Sequence, residues 1–177
     1  MKEKININIY TDGSSKGNPG PGGFGMVSFI HDNDTYPDYS ISMPSEEDTT
    51  NNREELKAIL NAFEYSMKLI KNPFYEKYDL TFIIHSDSSY CVNICNDWIF
   101  KWARNNWMNT KKKEIENKDL ILSLYKYLTI DFFPCQVVKT SGHSKIYGNE
   151  LADALATGDI KKYRKLIEEK CGPIMWD

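Results

Sequence analysis

Histidine is scarce and cysteine is unpaired in this sequence: 177 residues carry three histidines and four cysteines. Cys91, Cys95, Cys135 and Cys171 show no C-x-x-C spacing, which excludes the usual zinc frameworks and a disulfide-stapled miniprotein. Cys91 and Cys95 lie one helical turn apart and read as core residues. No apolar run is long enough to cross a bilayer, and the amino terminus, MKEKININIYT, lacks the apolar core of a signal peptide. Excess positive charge is missing too, since the net charge of −3 argues against a general polyanion sponge. These absences lead us to expect a reduced, intracellular, cytoplasmic protein with no membrane partner. A single domain spanning 1–177 is the simplest organisation, burying roughly two thirds of its unfolded surface without staples.

What is present is unevenly placed. Lys101 to Lys113 holds five basic residues and no acid, whereas Asp32 to Glu55 is mostly acidic. Ile5, Ile7 and Ile9 alternate with polar residues as a strand does. GFGMVSFI and YPDYSISM read as two further strands joined by the turn HDND, which makes an antiparallel meander. NNREELKAILNAFEYSMKLI places Leu56, Ile59, Leu60, Phe63, Met67 and Ile70 at steps of three and four, an amphipathic helix ending before Asn72-Pro73. DLTFIIHSD is a buried strand. Short helical stretches follow from Ser88 to about Arg104, then a basic segment and a helix NKDLILSLYKYL. CQVVKT is a last strand, and GNELADALATGDIKKYRKLIEEK is one helix, or two broken near Gly158. The order β-β-β-α-β-α-β-α predicts an α/β fold with a mixed five-stranded sheet, antiparallel at first and then parallel, and helices on both faces.

The stretch YTDGSSKGNPGPGG ends the first strand at an acid, Asp12, followed by a glycine-rich turn. A phosphate-cradling P-loop is excluded, because neither its lysine nor its helix follows. DLTFIIHSD likewise ends in an acid, Asp87. If the first and fourth strands are adjacent and parallel, the two carboxylates stand side by side, and like charges so placed call for a cation. Glu55, in TTNNREEL, and Asp153, in GNELADALA, sit at helix starts that can face the same edge. Taken alone, Glu55 is the acid of a capping box with Asn52, and Asp153 is a dipole-stabilising acid in a helix opened by Asn149. Together with Asp12 and Asp87 they make a carboxylate set suited to two hard divalent cations, which need no histidine or thiolate ligand.

TDGSSKGNPGPGG, TTNNREEL, SDSSY, the tryptophan pattern from Trp98 to Trp107 and GHSKIYGNELADALA occur in the order seen in type 1 ribonuclease H. The resemblance covers about residues 5–157. It implies a ribonuclease H-like fold and cleavage of the RNA strand in RNA/DNA hybrids, leaving 5′-phosphate and 3′-hydroxyl products. Asp12, Glu55, Asp87 and Asp153 match the family's metal-binding carboxylates, and His143 matches its loop histidine. Glu55, directly before Leu56, is selected over Glu54, whose replacement is expected to be mild. Two Mg²⁺ ions, with Mn²⁺ as substitute, are the implied cofactors, with no small-molecule cofactor and a monomeric state. Gly13, Ser14, Asn18, Asn51, Asn52, Ser89 and Asn149 are candidate contacts to the hybrid, with the glycines letting backbone approach it.

The segment from 101 to 113 resembles the family's basic protrusion, which grips the DNA strand. Lys101, Arg104, Lys111, Lys112 and Lys113 are its phosphate candidates. Trp102 and Trp107 either join them or fold into local core. The chain departs from the family's common Gly-His-Ser-Gly at Lys145, and it carries the short Ser89 where a longer polar side chain is frequent. Residues 158–170 form a helical extension without an assigned role. A catalytically dead hybrid-binding module and another nuclease of the same superfold, such as a junction resolvase, are the alternatives.

Overall fold

In a computed structural model that describes residues 2–30, 35–45, 48–141 and 145–176, the amino-terminal run forms β1 (Glu3–Ser15), the middle strand of the sheet. Ile5, Ile7 and Ile9 are buried on one face of it, and Tyr10 turns to the other. Alternation at period two is the cause. β2 (Gly22–Ile30) and β3 (Tyr39–Pro44) pair antiparallel with β1 and with each other in turn. β4 (Tyr78–Ser86) and β5 (Cys135–Lys139) add in parallel on the other side, giving the order β3-β2-β1-β4-β5. This is the expected mixed five-stranded sheet. The turn expected at 31–34 lies outside the described residues.

α1 (Asn51–Ile70) covers the face carrying Ile5, Ile7 and Ile9, burying Leu56, Ile59, Phe63 and Leu69. Thr50 caps it by accepting the Arg53 amide at 3.2 Å. Asn72 then opens a single 3₁₀ turn, Pro73–Tyr75. α2 (Ser89–Asn93) runs through a π-helical turn, Ile94–Trp98, into α3 (Ile99–Arg104), and α4 (Lys118–Leu128) follows the basic loop. On the opposite face, Tyr10, Val27 and Phe29 meet α5 (Tyr147–Ala156) and α6 (Ile160–Cys171). The carboxyl-terminal run is thus two helices, broken at Gly158, whose φ of 72° is a glycine conformation. α5 begins at Tyr147 and not at Asn149, and its first turn presses Gly148 against the Tyr10 ring, where a Cβ would stand 2.3 Å from a ring carbon. No helix among the described residues is long and apolar enough to cross a membrane.

Candidate active site

Parallel pairing of β1 and β4 sets Thr11 beside Ser86, so the next residues, Asp12 and Asp87, emerge together at the strands' carboxyl ends. Glu55 joins them from α1. A carboxylate oxygen from each of Asp12, Glu55 and Asp87 lies within 4.8 Å of the others. Two glycines make this approach possible. A Cβ on Gly13 would stand 2.1 Å from the Glu55 amide nitrogen, and one on Gly25, the register partner of Asp12, would stand 2.2 Å from the Ala152 carbonyl oxygen. The missing side chains thus seat α1 and α5 on the sheet, bringing in Glu55 and Asp153. At these two positions the close approach is between protein elements.

The cluster is electrostatically costly in the absence of a cation. Burial, followed by the charges of Asp87 and Asp153, raises the Asp12 carboxyl from 3.8 to about 7. Burial, then Asp12 and Asp87, raises Glu55 from 4.5 to about 9. Glu55 Oε2 is buried and has no hydrogen-bond partner among the described residues. A buried carboxylate with one orphaned oxygen, grouped with two other acids, suits a hard divalent cation.

The fourth acid is held differently. Asp153 lies near enough to raise Asp12, but its Oδ2 accepts from Lys162 Nζ at 2.5 Å. A second cation, Lys139, ends β5 and donates to the Asp87 main-chain carbonyl. Neither lysine stood out in the sequence. Register offered a clue for Lys139, since the last residue of a strand parallel to β4 pairs with Ser86.

Glu54, the acid set aside by register, has a structural place of its own. It is fully buried, with Oε2 accepting from Ser45 Oγ at 2.5 Å and Oε1 from Thr49 Oγ1 at 2.6 Å and Lys57 Nζ at 2.9 Å. It anchors the approach to α1. The capping-box reading of Glu55 gives way as well, because Thr50 is the cap and the Glu55 side chain faces the acids.

An open cleft of about 700 Å³ is lined by Asn51, Asn52, Glu55, Asp87, Ser88, Lys139 and Ser141. Asn51 Oδ1 accepts from the Ser15 amide at 2.7 Å and from Ser15 Oγ at 3.0 Å, fastening the end of β1 to the start of α1. Ser15 was not among the sequence candidates. Asn149 is buried and donates to Asp87 Oδ2 at 3.4 Å. Ser14 pairs with Gly23 in the β1–β2 ladder, Asn18 lies in the exposed loop before Pro19, and Ser89 is the exposed first residue of α2. His143 lies outside the described residues.

The basic segment forms a separate surface. Trp98, Lys101, Trp102, Asn105 and Met108 line a hollow of about 490 Å³. Trp102 and Trp107 are half-buried against the core, with Trp107 edge-on to Tyr125 at 5.1 Å. Lys101 pairs with Asp97 at 2.6 Å, and Arg104 Nε donates to the Phe100 carbonyl at 3.1 Å. Lys111, Lys112 and Lys113 are exposed on a loop organised by Asn109, whose Oδ1 accepts the Lys111 and Lys113 amides at 2.9 and 3.1 Å. Arg53, two residues before Glu55, makes a bidentate pair with Asp119 at 2.9 and 2.6 Å, tying α1 to the start of α4.

Comparison with known proteins places these features in a family. The profile of the RNase H family matches residues 4–161. A relative named ribonuclease H from Caldanaerobacter subterraneus subsp. tengcongensis is 41% identical over 163 residues, covering 90% of this chain and 94% of its own. The PFV RNase H domain, solved in solution, superposes with a TM-score of 0.69 at 24% identity over 86% of this chain and 93% of that one. LC11-RNase H1, crystallised in complex with an RNA/DNA hybrid, superposes with a TM-score of 0.59 at 26% identity, covering 88% of this chain and 98% of its own.

Proposed function

The chain belongs to the ribonuclease H family, and we propose that it is an endoribonuclease that hydrolyses the RNA strand of RNA/DNA hybrids, leaving 5′-phosphate and 3′-hydroxyl ends. The observation that carries this reading is the convergence of Asp12, Glu55 and Asp87 at the edge of an open cleft, with the buried Glu55 Oε2 lacking a hydrogen-bond partner among the described residues. Asp12, Glu55, Asp87 and Asp153 are the residues that would hold two Mg²⁺ ions, or Mn²⁺ in their place. Bound there, such ions supply activation of the attacking water and stabilisation of the leaving 3′ oxygen.

The chain's own residues supply the rest. Asp12 and Asp87 fix their carboxylates to paired strand ends, and Glu55 and Asp153 bring theirs on helices whose approach Gly13 and Gly25 permit. Asn149 orients Asp87. Asn51 and Asn52, at the exposed start of α1, present amide groups to a strand lying in the cleft, where contacts to 2′-hydroxyls distinguish RNA from DNA. Gly13, Ser14, Asn18 and Ser89 flank that path. Lys101, Arg104, Lys111, Lys112 and Lys113, with Trp102 and Trp107 as their support, form the surface for the other strand's phosphates. His143 is proposed to assist proton transfer or product exit. Residues 1–177 act as one catalytic domain and as a monomer in a reducing intracellular compartment, a setting suited to four free cysteines.

The test offers labelled RNA/DNA hybrid, duplex RNA, duplex DNA and a four-way junction to the protein with Mg²⁺. Cleavage confined to the RNA of the hybrid is expected. Cutting of the junction, or binding of the hybrid without cutting, would overturn the reading.

A further inference from the structure

The carboxylates are not equally served by the protein's own cations. Asp12, Glu55 and Asp87 converge without a lysine or arginine on any of their side-chain oxygens among the described residues, since Lys139 is bound to the Asp87 main-chain carbonyl. Asp153 instead carries the Lys162 ammonium on Oδ2 at 2.5 Å. Lys162 lies one residue beyond the stretch matched to the family, on a helix held in place by Tyr163, whose hydroxyl is 2.8 Å from Ser40 Oγ, and by the buried Ile167.

Its position is unfavourable for a cation by local rules. Lys162 is in the first turn of α6, where the helix dipole presents positive charge. What compensates it is the group of acids facing it, namely Asp153, Glu150 and the capping Asp159. Its charge also reaches Asp12, where it opposes the upward push of burial, Asp87 and Asp153. The Asp153 and Lys162 side chains are 44% and 43% exposed. A pair so exposed to solvent is weak enough to exchange partners.

We propose that Lys162 is a built-in counter-cation of Asp153, which a divalent ion on the Asp153 side must displace. The proposal rests on the reading of Asp153 as a metal ligand. The acids are then unequal as ligands: Asp12, Glu55 and Asp87 would take a divalent ion with no protein cation to displace, whereas Asp153 would take one only as the ammonium leaves. Lys162 acts through Asp153 and touches no reacting atom, so it is a positioning residue that sets the divalent-ion concentration at which Asp153 takes an ion.

The experiment is a Mn²⁺ titration of the whole protein without nucleic acid, reading free Mn²⁺ by electron paramagnetic resonance. In Lys162→Met the second ion is expected to bind at a free Mn²⁺ concentration lower than in wild type by about fivefold or more, with a smaller change in the first ion, whose ligand Asp12 feels Lys162 only weakly. Lys162→Arg, which keeps the charge, should bind as wild type does. The amide of residue 162 that caps onto Asp159 belongs to the main chain, so α6 keeps its start in both variants, and a melting curve verifies the fold. A second ion bound no more tightly in Lys162→Met than in wild type would overturn the proposal. Asp153→Asn separates the two levels. If it abolishes the second event while Lys162→Met leaves that event unchanged, Lys162 alone loses its role. If it leaves both events intact, Asp153 leaves the metal set and the proposal falls with it.

Discussion

Glu54 and Glu55 are consecutive residues in the first turns of α1 and both are buried, yet their carboxylates are in opposite conditions. Glu54 has both oxygens occupied by Ser45, Thr49 and Lys57, while Glu55 Oε2 is without a partner among the described residues.

The two conservative replacements should therefore differ in sign. Glu54→Gln leaves Lys57 beside a neutral amide and puts a donor where hydroxyls donate, at a cost of about 2–4 kcal/mol. That is a fall in melting temperature of roughly 5–15 °C, with activity retained in the remaining folded protein. Glu55→Gln removes a buried carboxyl that the metal-free fold must hold protonated at neutral pH, so the metal-free protein should melt at the same or a higher temperature while cleavage is lost. Equal loss of stability in both variants would contradict the contrast.

The pH dependence follows from the same cluster. The folded carboxyls of Asp12 and Glu55 lie above their ordinary values, at about 7 and about 9. Groups raised in this direction favour the fold in their protonated form, so the contribution is whole below about pH 4 and is lost as pH rises through the two folded values. In a chelator, melting temperature should fall between about pH 5 and 9 more steeply for wild type than for Glu55→Gln. Millimolar Mg²⁺, binding the folded state alone, should flatten that fall by mass action. Parallel profiles for wild type and variant would exclude the cluster as its source.

Gly13 offers a steric test. A methyl group there meets the Glu55 backbone at 2.1 Å, and backbone gives way only if α1 shifts. Gly13→Ala should cost on the order of 2–3 kcal/mol. Because the shift carries Glu55 away from Asp12, cleavage under conditions where the variant is fully folded should also fall at least tenfold. A folded variant with wild-type turnover would show that the α1 approach is not needed.

The basic loop predicts a salt effect. Each phosphate contact adds roughly 0.7 to 0.9 to the slope of log affinity against log salt. Replacing Lys111, Lys112 and Lys113 together by alanine should flatten that slope by up to about two to three units and leave single-turnover cleavage at saturating enzyme nearly intact. The ammonium groups of all three lack an ion pair among the described residues, so no internal pair is lost. An unchanged slope would remove the loop from the binding surface.

The succession of elements along the chain, the mixed sheet and the span of α1 were legible because periodicities of two and 3.6 are local signals, whereas the Asp12–Asp87 juxtaposition hung on one topological condition, the parallel pairing of β1 with β4. The faces were less well read. In α4 the spacing of Leu120, Leu124 and Leu128 reads as one buried stripe, yet Ile121 and Leu124 are buried whereas Leu120 and Leu128 are only half-covered, since the neighbour across the interface decides which edge of an apolar stripe is closed off. Lys139 and Lys162 were silent because a lysine's partner can be 52 or 9 residues away and leaves no mark on spacing. Glu54 and Glu55 could be told apart only by family register, because burial of either acid depends on segments distant in the chain.

β1 is paired from Ile7 to Ser15 on one edge and from Glu3 to Thr11 on the other, and Asp12 hangs from the strand that every other layer of the molecule rests on. Amide protons flanking such a position should exchange with solvent only when the whole sheet opens. The Asp12–Asp87 pair should therefore have no private melting transition. On heating, loss of turnover and loss of the folded population should superimpose, and the enzyme should work undiminished up to the edge of global unfolding.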